Sequence, residues 1–320
     1  MFTRSLVHLS RRAALPLLVI VVLAVGAAVV LIAGGGASVR PAARRTEAVM
    51  HRAAAPVKVA VAKLVRTYTD RHRTIRLPGG AVVPRRVVTV IRYPRHVAAP
   101  LPLIVFGHGF AVTPAPYAAL LRTWAAAGYV VAAPIFPLGN ARAPGGPDEA
   151  DIVNQPGDMS LVITRLETGP LSRLIDRHAI AVAGQSDGGM TALATAYDPP
   201  YFDTRVDAAM ILSGAAFPGR SFLFHPPSPP LLAIQGTADT TNLPRNTYAF
   251  FDAAPKPKYL LQLLGAGHLR PYTNEQPQLG IVERTTLAFL DRYLKHTPGA
   301  GARLHRAGEI PGVAVLTTDP

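Results

Sequence analysis

The chain has 320 residues, enough to bury one large hydrophobic core, and a formal net charge of +14. It contains no cysteine, which excludes disulfide bonds, a cysteine-linked lipoprotein anchor, a cysteine-ligated zinc site and a cysteine nucleophile. The excess charge lies in residues 1–99, with 17 Lys and Arg against 2 Asp and Glu, whereas residues 100–320 contain 16 against 17. No basic patch interleaved with aromatic residues accompanies this charge, so nucleic-acid binding is not predicted.

The N-terminal part predicts a membrane anchor or an export signal. Residues 13–33 form an uncharged apolar run of 21 residues that follows a basic segment, residues 1–12. About 20 apolar residues span a bilayer, whereas the apolar part of a signal peptide has about 7–15. The length favours an anchor, and the small residues that follow it leave cleavage open. We therefore expect attachment to the cell membrane with the catalytic part outside the cytoplasm, or secretion if the segment is removed.

The remaining chain divides by composition into three parts. Residues 34–70 read as a basic linker, residues 71–297 as the catalytic domain and residues 298–320 as a C-terminal tail. The basic residues beside the apolar run suit anionic lipid headgroups, and a solvated basic face is an equal alternative. No Gly-rich phosphate loop followed by lysine and no His-x-x-x-His pair is present, so neither a cofactor nor a metal is predicted.

Apolar runs alternate with helix-like segments through most of the catalytic domain. An alternating pair, 73–77 and 85–93, first predicts two antiparallel strands at the edge of a sheet. Fully apolar strands are then predicted at 103–107, 129–135, 179–184, 206–212, 231–236 and 258–264. Helices are predicted near 115–127, 157–168, 187–197, 243–252 and 278–296. This alternation predicts the α/β class, with a mostly parallel sheet covered by helices on both faces.

Ser186 stands at the tip of a predicted strand–turn–helix unit. The sequence Gly184-Gln185-Ser186-Asp187-Gly188-Gly189 follows an apolar strand and precedes a helical run. Flanking glycines are needed where a sharp turn brings the backbone of both elements together. We expect a nucleophile elbow here, and a plain Gly/Ser turn is the alternative.

An acid and a base follow Ser186 in chain order. Asp239 lies just beyond one predicted strand, and His268 lies just beyond the next. The carboxyl ends of parallel strands share one edge of the sheet, so all three side chains are expected there. A serine hydroxyl becomes a strong nucleophile when a neighbouring base takes its proton. Asp207 and Asp252 are read as solvated or capping carboxylates.

The segment after the predicted strand 103–107 should complete the site. The backbone N–H groups of Phe110 and Asp187 are the expected donors to an oxyanion, with Gly109 allowing the close approach. The residues expected to line the substrate site are His108, Gly109, Gln185 and Phe217. Phe217 belongs to an aromatic, proline-rich loop, 215–230, that could line a pocket or simply pack on itself.

These motifs resemble the alpha/beta-hydrolase superfamily over residues 71–297. The resemblance rests on segments 108–110, 184–189, 236–239 and 265–268, which occur in the family order. The chain looks most similar to the branch of dienelactone hydrolases, platelet-activating-factor-acetylhydrolase-like esterases, chlorophyllases and cutinases. Residues 154–163 are similar to a segment of that branch, whereas Gln185 replaces a histidine that many members have. Asp187 stands where cutinase-like members often have an apolar residue.

The sequence thus predicts a serine hydrolase, with carboxylic esters as the expected small-molecule substrates. An amidase or peptidase on the same fold is one alternative. A binding protein that has kept the fold without activity is another, and a membrane-surface protein that acts through its basic N-terminus is a third. The substrate, its acyl length and the oligomeric state stay open.

Overall fold

The computed structural model describes residues 59–217, 222 and 224–320. The predicted basic segment, the apolar segment 13–33 and most of the predicted linker lie outside the described residues. Within the described ranges, no helix is both long enough and apolar enough to cross a bilayer.

A nine-stranded sheet forms the centre of the described part of the chain. Its strand order is β1-β2-β4-β3-β5-β6-β7-β8-β9, and neighbouring strands from β4 through β8 pair in parallel. The first two strands and β9 pair antiparallel at the two edges. The strands are β1 Val61–Arg76, β2 Val82–Pro94, β3 Leu101–Gly107, β4 Val130–Ile135, β5 Ile175–Gln185, β6 Ala208–Leu212, β7 Leu231–Gly236, β8 Lys258–Leu263 and β9 Ala314–Asp319.

Helices cover both faces of this sheet, as the apolar strands predict. The helices are α1 Ala118–Ala126, α2 Gln155–Thr168, α3 Asp187–Tyr197, α4 Pro244–Ala253, α5 Gln278–Tyr293 and α6 Ala300–Gly308. Alternate residues of each strand point to opposite faces. Thus Phe106 packs with Trp124 and Phe289 on the face of α1, α5 and α6, whereas Val105 belongs to the core under α2, α3 and α4.

The predicted domain boundaries at residues 71 and 297 are wrong. β1 begins at Val61, inside the predicted linker, and Leu64 and Tyr68 pack against the core. The predicted tail contains α6 and β9, and Leu316 of β9 is buried. Both edge strands have mixed apolar and charged sequences because one of their sides faces solvent, so the predicted edge strand 73–77 covers only the last part of β1, and β9 was not predicted. The sheet therefore spans residues 61–319.

A buried arginine ties the sheet to the segment that follows β4. Arg85 of β2 is 1% exposed and forms two hydrogen bonds of 2.6–2.7 Å with each of Asp151 and Asp158. Arg73 of β1 adds a contact of 2.9 Å to Asp158. Burial raises the pKa of the Asp158 carboxyl, and Arg85 opposes that shift. The network fixes the start of α2, which lies beside α3 and its serine turn.

Replacing Arg85 with methionine should destabilise the fold by about 3 kcal/mol, because buried Asp151 loses its charged partner and buried Asp158 keeps only Arg73. Urea unfolding of the full chain at pH 7 measures this change. The matched control is Arg86→Met, since Arg86 is the next residue along β2 but is exposed and forms no ion pair with a described carboxylate. That control should stay within about 0.5 kcal/mol of the unsubstituted chain. Equal losses in both variants would contradict the role of the network.

Candidate active site

The serine turn is held in a strained conformation by close backbone contacts. Ser186 joins β5 to α3. Its backbone angles, φ 56° and ψ −124°, lie in a region that residues other than glycine rarely adopt. A methyl group on Gly184 would lie 1.9 Å from the carbonyl oxygen of Gly188. A methyl group on Gly188 would lie 2.1 Å from the carbonyl oxygen of Gly107. Any side chain at either position would collide with neighbouring backbone, so both flanking glycines are required, as the sharp turn predicts.

The side chains of Ser186, His268 and Asp239 form a continuous hydrogen-bonded chain. The Ser186 hydroxyl lies 2.9 Å from His268 Nε2, and His268 Nδ1 lies 2.7 Å from Asp239 Oδ2. The other carboxylate oxygen, Asp239 Oδ1, accepts the backbone N–H groups of Thr241 and Asn242 at 2.9 Å each. Asp239 is thus fixed on both sides, and His268 Nδ1 donates to it while Nε2 faces the serine.

Neighbouring strands bring the acid and the base together. Asp239 follows β7 and His268 follows β8, and these strands pair in parallel. Their loops touch, since a methyl group on Gly236 would lie 2.5 Å from the carbonyl oxygen of Ala266. The two other candidate carboxylates lie elsewhere: Asp207 accepts the backbone N–H of Ile180 at 2.9 Å, and Asp252 is exposed in α4.

The segment after β3 lies against the serine turn. A methyl group on Gly109 would lie 3.3 Å from Ser186 Cβ, so the glycine permits this approach. The N–H of Gly109 donates to Tyr117 and that of Ala111 to the carbonyl of Gly139. Between them, the N–H of Phe110 donates to no other described residue, and neither does that of Asp187 at the start of α3. Neither of the two predicted oxyanion donors therefore has an acceptor among the described residues.

His108 supports this segment from within the core. Its side chain is 1% exposed, with Nδ1 2.8 Å from the carbonyl oxygen of Gly109 and Nε2 accepting the backbone N–H of Phe136 at 3.1 Å. Burial lowers the pKa of the imidazole to about 4, so it is neutral near pH 7. Both ring nitrogens of His108 are already hydrogen-bonded, to the backbone of Gly109 and of Phe136. The side chain therefore positions these backbone segments and has no free nitrogen for a substrate.

Gln185 is likewise buried and joins three parts of the site. Its Oε1 accepts the hydroxyl of Tyr117 at 2.7 Å, and its Nε2 donates to the carbonyl oxygen of His268 at 3.0 Å. Tyr117 in turn contacts the N–H of Gly109 at 3.4 Å. The predicted substrate contact of Gln185 is thus replaced by a link between the segment after β3 and the His268 loop. Tyr117 was not predicted, because nothing in its local sequence distinguishes it from an ordinary buried residue.

The fourth residue expected to line the substrate site, Phe217, is buried in a small cluster. It packs with Ile152 and Ala194, and its ring meets that of Tyr201 edge to face at 5.6 Å. The later aromatic residues of the same loop, Phe222 and Phe224, pack on the core beside Tyr197. The loop thus packs on the domain where it is described; residues 218–221 and 223 lie outside the described ranges.

Asp187 brings an unpaired carboxylate next to the nucleophile. The side chain is 8% exposed, and its Oδ2 is buried without a hydrogen-bond partner among the described residues. Burial, and then the charge of Glu149, raise the pKa of this carboxyl from 3.8 to about 6, while His268 opposes the shift. A group of this kind destabilises the folded chain once it ionises.

Replacing Asp187 with asparagine should therefore stabilise the fold above pH 6 and leave it nearly unchanged at pH 4. The folded chain holds the Asp187 proton up to about pH 6, whereas the unfolded chain releases it near pH 3.8. The folded state thus binds more protons in that interval, and stability falls as the pH rises through it. The gain on substitution should reach about 2–3 kcal/mol at pH 7.

Urea unfolding of both chains between pH 4 and pH 7 measures this difference, because all other titrating groups are shared. Glu149→Gln should remove part of the pH dependence, since the Glu149 charge is the second cause of the shift. A stability difference that stays constant with pH would contradict the burial of an ionised Asp187.

Gln235 is a further buried contact of the acid that the sequence reasoning missed. Its Nε2 donates to Asp239 Oδ2 at 3.3 Å and to the carbonyl oxygens of Gly236 and Asn242. Its Oε1 accepts the hydroxyl of Thr247 at 2.7 Å. The available signal was a polar residue at the end of an otherwise apolar strand. No group of three or more His, Asp or Glu side chains suited to a metal occurs in the part of the chain that the structure describes.

Comparison with known proteins identifies the fold. No protein-family model matches the chain, and no curated protein matches it in sequence. Among solved structures, 1217 chains match. One is a ferulic acid esterase from Streptomyces cinnamoneus, with 21% sequence identity and a TM-score of 0.59, over 77% of this chain and 93% of that chain. The chain therefore has the alpha/beta-hydrolase fold, as the order of its motifs predicts. Because this fold hosts many chemistries, the likeness by itself selects no activity.

Proposed function

We propose that this chain is a serine hydrolase that cleaves carboxylic esters of small molecules. The single observation that carries the proposal is the hydrogen-bonded series Ser186–His268–Asp239, with distances of 2.9 and 2.7 Å, at a strained turn beside two unoccupied backbone N–H groups. The esterase named among the similar structures supports esters as the substrate class. The particular dienelactone hydrolase and cutinase branch remains part of this proposal.

The proposed reaction proceeds in two halves. His268 Nε2 takes the proton of the Ser186 hydroxyl while Ser186 Oγ attacks the ester carbonyl carbon. The carbonyl oxygen becomes an oxyanion that accepts hydrogen bonds from the N–H groups of Phe110 and Asp187. The carbon–oxygen bond to the alcohol then breaks, and His268 gives its proton to that alcohol, leaving an acyl group on Ser186.

Water completes the cycle through the same groups. His268 takes a proton from water, whose oxygen attacks the acyl carbon, and the bond to Ser186 Oγ breaks as the serine recovers its proton. Throughout, the Asp239 carboxylate keeps the proton of His268 on Nδ1 and stabilises the imidazolium when it forms. The chemistry uses side chains and backbone groups of the protein, with no cofactor in any step.

The test is hydrolysis by the full chain of p-nitrophenyl acetate, butyrate, octanoate and palmitate, beside the matching p-nitroanilides. We expect the esters to be cleaved and a fluorophosphonate probe to label Ser186 covalently. Cleavage of the anilides in preference to the esters would replace the ester proposal with an amidase. Absence of both labelling and turnover would favour a non-catalytic protein on this fold.

We also propose that residues 13–33 attach the chain to the cell membrane, or export it, with the catalytic domain outside the cytoplasm. The basis is the 21-residue uncharged run with basic flanks. Protease digestion of intact cells, compared with lysed cells, tests the orientation, because an extracytoplasmic domain is cleaved in both. Protection of the domain in intact cells would overturn the proposal.

A further inference from the structure

Five cationic side chains surround a cleft on one face of the sheet, at the edge formed by β1, β2 and β4. A cavity of about 460 Å³ is lined by Lys63, Arg86, Arg92 and Arg142, over an apolar floor of Ile75, Val88, Val90 and Ile135. An adjoining cavity of about 310 Å³ shares Lys63 and Arg92 and adds Arg122. No Asp or Glu lines either cavity. We call these five residues and the apolar floor the cationic cleft.

The charges in the cationic cleft lack partners within the described residues. None of its five cations forms an ion pair with a described carboxylate. Arg92 is 7% exposed, and its Nη1 is buried without a hydrogen bond to any described residue. Lys63 lies directly opposite Arg92 in the β1–β2 register, and opposed like charges destabilise a strand pair.

Arg85 of the same strand shows what a buried guanidinium requires. Arg85 faces the other side of β2 and is neutralised by two carboxylates with four short hydrogen bonds. Arg92 has no such partners, and burial together with the charge of Arg122 lowers its pKa. A buried cation without a counter-charge is costly, so the folded chain retains an unfavourable arrangement at this point. An anion in the cavity would remove that cost.

We propose that the cationic cleft binds a phosphate ester, with the phosphate held by the Arg and Lys side chains and its hydrocarbon portion on the apolar floor. Guanidinium groups bind phosphate oxygens through paired hydrogen bonds, and several arginines face one cavity here. The branched side chains of Val88, Val90 and Ile135 offer a surface for an alkyl group, which a free inorganic ion would not use. The ligand is thus an amphiphile with one anionic end.

This site is separate from Ser186 and does not depend on the proposed hydrolase activity. Its lining contains none of Ser186, His268 and Asp239. Part of its lining is formed by residues 113–115 and by Pro137, Asn140, Arg142 and Pro144. A strand-like bridge between Val112 and Asn140 joins these two segments, the first of which follows Phe110 in the chain. A bound phosphate ester would therefore contact residues other than the expected oxyanion donors, which line neither cavity.

The binding experiment uses the full chain carrying Ser186→Ala, which prevents turnover of the ligand. Titration calorimetry with hexyl phosphate, inorganic phosphate and hexanol separates the anionic from the apolar contribution. We expect saturable binding of hexyl phosphate, at least tenfold tighter than either part alone, that weakens between 50 and 500 mM NaCl because salt screens the charges. A titration with dihexanoyl phosphatidic acid shows whether the phosphate ester is a lipid or a soluble molecule. Tighter binding than hexyl phosphate indicates a lipid headgroup, whereas weaker binding indicates a soluble phosphate ester.

The matched variants remove charge inside and outside the cleft. Arg92→Gln, and separately the exposed pair Arg86→Gln with Arg142→Gln, should weaken hexyl phosphate binding at least tenfold. Arg173→Gln removes an exposed charge at the turn before β5, outside the cleft, and should change the affinity less than twofold. The exposed pair keeps the test valid if Arg92→Gln fails to fold. Absence of saturable binding, equal affinity for inorganic phosphate, or equal loss in Arg173→Gln would overturn the proposal.

Discussion

Replacing Ser186 with alanine is expected to lower kcat/KM for ester hydrolysis by about 10⁴–10⁶, because the reaction loses its nucleophile. His268 then has no hydroxyl to deprotonate, and only the unoccupied N–H groups of Phe110 and Asp187 remain to assist water. The fold should persist, since the Ser186 hydroxyl contacts no described side chain other than His268. Initial rates on p-nitrophenyl butyrate, at equal concentrations of folded protein, measure the loss, and fluorophosphonate labelling should be absent from the Ser186→Ala chain.

Ser172→Ala is the matched control for this loss. Ser172 lies in the turn before β5, at the opposite end of the strand that leads to Ser186, and it belongs to none of the contacts of the site. Its substitution should leave kcat/KM within about twofold. A Ser186→Ala chain that keeps the rate of the unsubstituted chain would show that another group attacks the ester, and the proposed mechanism would fail.

The central part of the fold could be predicted because its strands are buried on both faces. The six parallel strands appear in the sequence as short apolar runs, and the structure places each within a few residues of its predicted bounds. The positions of Ser186, Asp239 and His268 followed from the same reasoning, since each comes directly after one of these runs. Short local sequence patterns were therefore enough to predict the parallel strands and the chain order of Ser186, Asp239 and His268.

The edges of the sheet and the supporting contacts required information that is not local. β1 and β9 have one side toward solvent, so their sequences mix apolar and charged residues and resemble a linker and a tail. Tyr117 and Gln235 act through hydrogen bonds to residues distant in sequence or across a loop, which a residue type alone does not reveal. His108 was expected at the substrate because it follows β3, but burial turned its ring toward Gly109 and Phe136.

Two charged groups of the structure oppose folding and have no role in packing. Asp187 ionises beside the nucleophile without a hydrogen bond to its Oδ2, and Arg92 is buried without a counter-charge in the described part of the chain. Arg85, which is more deeply buried than Arg92, is fully paired. The other two described residues with a buried polar atom that lacks a partner, Gln278 and Thr285, are uncharged, so Asp187 and Arg92 are the costly exceptions, and we interpret both as residues retained for function. They lie beside the proposed catalytic serine and in the cationic cleft, respectively.

Asp239→Asn is the second large effect, with an expected loss of about 10³–10⁴ in kcat/KM. Asparagine fits the same space, and its carbonyl oxygen can keep the Oδ1 bonds to the N–H groups of Thr241 and Asn242. Its NH₂ group must then occupy the position of Oδ2, where it faces His268 Nδ1 as a second donor. His268 avoids that clash by moving its proton to Nε2, and Nε2 can then no longer accept the proton of Ser186.

Asp252→Asn and Asp207→Asn are the controls, because those carboxylates were the other candidates for the acid. Both lie away from His268, so both variants should retain kcat/KM within about twofold, whereas urea unfolding should show Asp239→Asn still folded. Fluorophosphonate labelling should slow in parallel with turnover, since both require an activated Ser186. If Asp239→Asn kept full activity while Asp252→Asn or Asp207→Asn lost it, the acid would be misassigned. If Asp239→Asn lost activity but labelled Ser186 at the original rate, the carboxylate would act after acylation and not on the nucleophile.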